Sequence, residues 1–147
     1  MARRGAISIG IDRISGKSIA DWDDVCQCMF VIFTTMLGTR VMRRTFGSAV
    51  PGLLGRNLTP STLLNFYVAI VTAVTLWEPR LLITNFIIPT PQNSPATMRA
   101  GHIAFQIVGF YRPRALLGDM TTEPIPRMMN IVFPFDGQNG PTLTAGG

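Results

Sequence analysis

Carboxylates and thiols are the residues that could do chemistry here. Glu78 stands in "WEPR", between two apolar runs, with Arg80 two positions on. A glycosidase needs two carboxyls flanking a bond, one of them with a raised pKa. Glu78 is the tempting acid, but a nearby cation such as Arg80 favours the ionised carboxylate, the wrong direction for a general acid. The other acids are Asp12, Asp21, Asp23, Asp24, Asp119, Glu123 and Asp136, and most fall at a helix start, a turn or the tail. A structural role is enough for those positions. His102 is the only histidine, and no Ser or Cys motif marks a nucleophile for it. Neither GxGxxG nor GxxxxGK[ST] occurs. Cys26 and Cys28 are two apart, which on a helix points them to different sides and forbids a bridge. With His102 alone beside them they make no zinc set. They read as small buried hydrophobes of a reducing cytosol. The expectation is a protein that is not an enzyme, with no metal and no cofactor.

Composition narrows the class further. One domain is the default for 147 residues, enough for a core without disulfides. Charged residues are 14% of the chain, against roughly 25% in an ordinary soluble domain. A surface this poor in charge implies coverage by partners. The net charge is +5 and Lys17 is the only lysine, so the basic character is carried by arginine. Arginine suits bidentate pairing at protein interfaces. No Lys/Arg run exceeds a pair and no aromatic RNA-binding motif appears, so a nucleic-acid partner is not expected. Asp12 and Arg13 arrive before any secretory apolar stretch could form. The apolar run from Leu63 to Trp77 falls short of the ~20 residues that span a bilayer and is closed by Pro79 and Arg80, so no membrane partner is expected.

The elements that position these residues follow from periodicity. Residues 1–20 form a polar arm with a turn at "DRISGK". Asp21–Leu37 predicts a helix with three acids at its positive end, an apolar stripe through Val25, Met29, Ile32 and Met36, and Gly38 after it. Residues 38–58 connect, holding Arg40, Arg43 and Arg44, which are either a solvated basic loop or a patch awaiting an acidic partner surface. Thr59 and Pro60 open a second helix and Pro79 ends it. "RLLITNFIIP" predicts a strand apolar on both faces, hence interior in part. "HIAFQIVGFYR" predicts its antiparallel partner, after a polar loop containing Pro91 and Pro95. "MNIVFPF" predicts at most a short edge strand because of Pro134, and "DGQNGPTLTAGG" a mobile end. The fold class is α+β, two long helices on a small, mainly antiparallel sheet, with an arm at 1–20, a core at 21–112 and an extension at 113–147.

Read in order, "GIDRISGK", "GTRVMRRTFGS" and "WEPRLLI" resemble the baseplate wedge proteins of contractile phage tails, the family of the baseplate assembly protein W. Gly38, Arg40, Met42, Arg43, Phe46 and Gly47 fit its middle element, and Glu78, Pro79 and Arg80 its last, across about residues 8–112. The resemblance implies a structural subunit of the tail baseplate, assembled in the bacterial host cytoplasm, in several copies per six-fold baseplate. It implies that Glu78, Pro79 and Arg80 engage the helical wedge core, which agrees with the rigid corner that Pro79 makes; Arg40, Arg43 and Arg44 stand beside them as candidate partner contacts on the strength of their clustering alone. It implies that the sheet receives the first tail sheath subunits by strand addition, close to the tube and hub. The rivals from other classes are a lysozyme-like enzyme and a small membrane-associated protein. For Glu78 and Arg80 the alternative to docking is an internal pair pinning helix to sheet.

Overall fold

The computed structural model describes residues 8–54, 56–57, 59–90, 93–99, 102–133 and 142–144. A hairpin of β1 (Ile9–Ile11) and β2 (Ser18–Ala20) leads into α1 (Trp22–Thr34). A connector holding α2 (Val50–Leu53) reaches α3 (Pro60–Trp77). Then come β3 (Leu81–Ile87), α4 (Pro95–Arg99), β4 (Ile103–Tyr111), β5 (Pro126–Phe133) and β6 (Thr142–Thr144). The last four strands make one antiparallel sheet in the order β3-β4-β5-β6. The α+β class read from the sequence is the one observed.

The long helices start and stop for local reasons. Thr59 Oγ1 accepts the Thr62 N–H at 3.2 Å, with Pro60 in the first turn. At the other end Glu78 N–H donates the last helical bond to the Val74 carbonyl, 2.8 Å, and Pro79 cannot continue it. The first helix stops at Thr34, three residues short of the expected Leu37. Thr34 and Thr35 hydroxyls donate back to the Phe30 and Val31 carbonyls (2.8 and 2.7 Å), and Thr35 turns extended. Met36 then pairs with Ser48, and Gly38 (φ 85°) serves the turn beyond the helix.

Both helices cover one face of the sheet. Val25, Met29, Ile32 and Phe33 of α1 meet Phe66, Ile70, Ala73 and Val74 of α3 over Phe105, Ile107, Met129, Ile131 and Phe133. Phe66 lies 5.5 Å from Phe105 and 6.1 Å from Phe133, ring centre to ring centre. Truncating such a buried phenylalanine costs about 3–5 kcal/mol.

Two strands differ from expectation. β3 is interior in part, as expected, with Leu81 buried, but it stands at the edge of the sheet. Its double apolar pattern has another cause: the register slips between Ile83 and Asn85, a bulge that inverts the alternation. Leu81 and Ile83 therefore face the core before the bulge and Phe86 after it, while Leu82 and Ile87 stay exposed. β5 is a full strand between β4 and β6, not a short edge. It ends at Phe133, so its ladder is complete before Pro134, which lies outside the described residues with most of "DGQNGPTLTAGG" and with Pro91. Residues 113–133 thus add Met129, Ile131 and Phe133 to the core.

Candidate functional site

Glu78, Arg80 and the N-terminal hairpin meet in one buried knot of charge. Pro79 ends α3 and begins the turn into β3, which sets Glu78 and Arg80 on the same side of the corner. Arg80 Nε donates to Glu78 Oε1 at 2.6 Å and Nη2 to Glu78 Oε2 at 2.9 Å, a bidentate fork. Nη1 donates to Asp24 Oδ2 and to Ser8 Oγ, both at 2.7 Å. Ser8 Oγ donates in turn to the same Asp24 oxygen at 2.9 Å. Nη2 also approaches Cys28 Sγ at 3.4 Å. A guanidinium has five N–H donors, and each one here has an acceptor. Glu78 is 2% exposed and Arg80 4%.

The pair therefore does not project from the corner, as the resemblance led us to expect. It turns inward, where Arg80 lies between the buried carboxylates of Glu78 and Asp24 and bonds to both. Burial alone would lower the Arg80 pKa, but its bonds to Glu78 and Asp24 outweigh that and push it well up. The Cys28 thiol is pushed up by burial and by Glu78 and Asp24, so it is held as the weakly nucleophilic neutral form. The Cys26 thiol is pushed up to about 12, chiefly by burial.

Sequence reasoning placed Glu78 and Arg80 together but missed Asp24, Ser8 and Gly10. In the sequence Asp24 is one of three acids that suit the positive end of a helix. It lies 56 positions before Arg80, and no spacing rule links them. Gly10 is the counterpart of its position: a Cβ there would run into Asp24 Oδ1. The glycine in the first motif is what lets the hairpin close over the knot. The hairpin is also tied to α1 by Gln27, which accepts from Arg13 N–H and donates to the Ile11 carbonyl, each at 2.8 Å.

The second predicted group is exposed. Arg40 stacks on Phe46 at 4.3 Å, and Arg43 lies 5.4 Å from Phe46 and 5.6 Å from Trp77. Phe46 itself leans on Trp77, centroids 5.1 Å apart. The connector is thereby glued to the last turn of α3, next to the knot. Arg44 is exposed, and its carbonyl accepts from Gly38 N–H. Gly47 closes the motif at φ 126°, where a Cβ would meet the Thr35 carbonyl oxygen. Among the described residues no group of three or more His, Cys, Asp or Glu could hold a metal.

The site is thus a buried charge knot that ties the N-terminal hairpin and α1 to the corner between α3 and β3. The comparisons give the chain's family. Residues 20–112 match the model of the baseplate wedge protein gp25 family, and the chain belongs to that family. Baseplate protein W of Escherichia phage P2 is 34% identical over 77 residues, spanning 52% of this chain and 67% of that one. The baseplate of pyocin R2 after contraction contains a chain of the same fold, with a TM-score of 0.58, 21% identity, and coverage of 71% of this chain and 99% of that one. A Geobacter sulfurreducens protein described as a tail lysozyme aligns with a TM-score of 0.52 and 26% identity over 77% of this chain and 87% of its own. The chain is a structural component of a contractile-tail baseplate, located in the baseplate of the particle and in contact with other baseplate proteins.

Proposed function

We propose that this baseplate component docks on the helical core of neighbouring wedge subunits around the Glu78–Pro79–Arg80 corner and initiates the tail sheath. The observation that carries the reading is the edge strand β3. Among the described residues it is paired on one side only, and Leu82, Ile87 and Ile88 beside that edge are each 37% exposed. Free backbone groups along an edge accept a strand from another chain, with side-chain pockets giving specificity. The sheath subunit supplies that strand, and the tube and hub lie alongside, with several copies around a six-fold baseplate. Glu78, Pro79 and Arg80 serve docking by fixing the corner's shape. A lysozyme activity is disfavoured by the same knot, since Glu78 is buried and both of its oxygens are engaged by Arg80 rather than open to a substrate.

The test blunts the edge. Charged side chains on an exposed edge strand, lysine above all, deter pairing. Particles assembled with Leu82→Lys/Ile87→Lys should retain the chain on baseplate and tube while sheath protein stays free in the lysate. Fully sheathed tails from that variant would overturn the proposal.

A further inference from the structure

The helix α3 has a second apolar stripe that the domain leaves uncovered. Its inner face carries Phe66, Ile70, Ala73 and Val74 into the core. Its outer face presents Val68 and Leu76, 54% and 66% exposed, with the small residues Ala69 and Thr72 between them. Across from it runs the connector, and the two enclose a groove of about 320 Å³. Its lining mixes the small residues Ala69, Thr72 and Gly47 with the larger Leu37, Leu53 and Trp77. From Asn65 to Leu76 the stripe is roughly 17 Å long at the rise of a helix, three turns of a second helix laid alongside. Small residues at such a seam let helix axes approach closely and let the partner's larger side chains fill the gap.

Charge says what kind of helix. Between Asp24 and Glu78 the sequence contains no acid at all, yet it holds Arg40, Arg43, Arg44 and Arg56. Two of the four stand at the Trp77 end, where Arg43 stacks on Trp77 and Arg40 on Phe46, which leans on Trp77. These cations have aromatic faces beneath them and no carboxylate of their own segment to neutralise them. A second copy of this chain does not fit, because its net charge is +5 and the acids of its one acid-bearing described helix, Asp23 and Asp24, are confined to the first turn.

We infer that this groove seats an acidic amphipathic helix of a neighbouring baseplate subunit, with Leu-type residues in the seam and Asp or Glu against Arg40, Arg43 and Arg44. The inference rests on the wedge-docking reading above and moves its contact surface from the buried Glu78/Arg80 pair to the groove beside it. Arg80 then acts at one remove, holding the corner from which Trp77 and the connector are presented.

Site-specific photo-crosslinking in assembled particles tests it, with benzoylphenylalanine at Val68 and, as control, at the exposed Leu117 away from the groove. Immunoblotting of purified particles first reports incorporation. The expected result is a Val68 cross-link to another baseplate subunit, in a peptide with apolar residues at three- and four-residue spacing flanked by acids. Like charges set face to face cost several kcal/mol, and 1.4 kcal/mol is tenfold in affinity. Arg40→Glu/Arg43→Glu/Arg44→Glu should therefore lower that cross-link by about tenfold or more. If Val68 substitution itself blocks incorporation while Leu117 substitution does not, the groove is covered in the particle, as proposed. Cross-links from Val68 to sheath, lipid or a second copy, or none from incorporated chain, overturn the inference and leave the baseplate role standing. Absence of even the unmodified chain from particles would remove the docking reading beneath it.

Discussion

Replacing Arg80 by methionine asks how much of the domain depends on the knot. Methionine fills much of the arginine's volume and brings no charge. Glu78 and Asp24 would then be left buried, at 2% and 9% exposure, with no cation between them. Two carboxylates would lose a bidentate fork and a 2.7 Å bond. Removing one partner of a buried ion pair costs about 3–5 kcal/mol, because the remaining charge is uncompensated. Against a total stability of about 5–15 kcal/mol, that is about a fifth of the domain's margin or more. At roughly 2–4 °C per kcal/mol for a chain of this size, the midpoint should fall by about 6–20 °C. The assay is thermal and urea unfolding of the purified chain followed by circular dichroism. The triple replacement Asp24→Asn/Glu78→Gln/Arg80→Met should recover most of the loss, since it removes all three charges together. A loss below about 1 kcal/mol for Arg80→Met, the scale of an exposed pair, would refute the reasoning.

Three further outcomes follow from the same geometry. Gly10→Ala should lower stability by about 1–3 kcal/mol in urea unfolding, through overpacking against Asp24. The same change should cost much less in an Asp24→Ala background, where the clash partner is gone. Gly47→Ala should cost about 2–3 kcal/mol, because the residue sits at φ 126° against the Thr35 carbonyl, and calorimetry would report it as a lowered midpoint. In alkali, burial holds the Cys26 thiol and Tyr111 phenol protonated up to about 12 in the folded chain, against ordinary values of 9.0 and 10.0. The folded state thus keeps protons that the unfolded state has released, so stability falls as pH rises from about 9 towards about 12. Cys26→Ala should flatten that slope in unfolding curves taken across the window.

The legible parts of the fold were those set by short-range rules. Thr59–Pro60 and Pro79 bracket α3 within a residue of its observed ends, because a side-chain cap and a missing N–H act locally. The hairpin of β3 and β4 was legible from two apolar runs around a polar loop. What the loop hid was α4, and what the double apolar pattern of β3 hid was a bulge. A bulge shifts parity without changing composition, so an edge strand with one mimics an interior strand. Pro134 masks β5 in the sequence, although proline just past a strand costs the ladder nothing. In the site, the Glu78/Arg80 pairing was legible from adjacency. Its inward direction was not, because that depends on Asp24 and Ser8, which only tertiary folding brings to Arg80. The surplus of acids at the start of α1, three where the dipole needs one, was the available hint.

Negative-stain microscopy of particles made without its gene asks whether this chain starts the sheath from the baseplate, as proposed. The expected result is bare tubes or tailless particles, with unassembled sheath protein in the lysate, and sheathed tails restored by the wild-type gene supplied in trans. Tails with complete sheath in its absence would contradict that proposal.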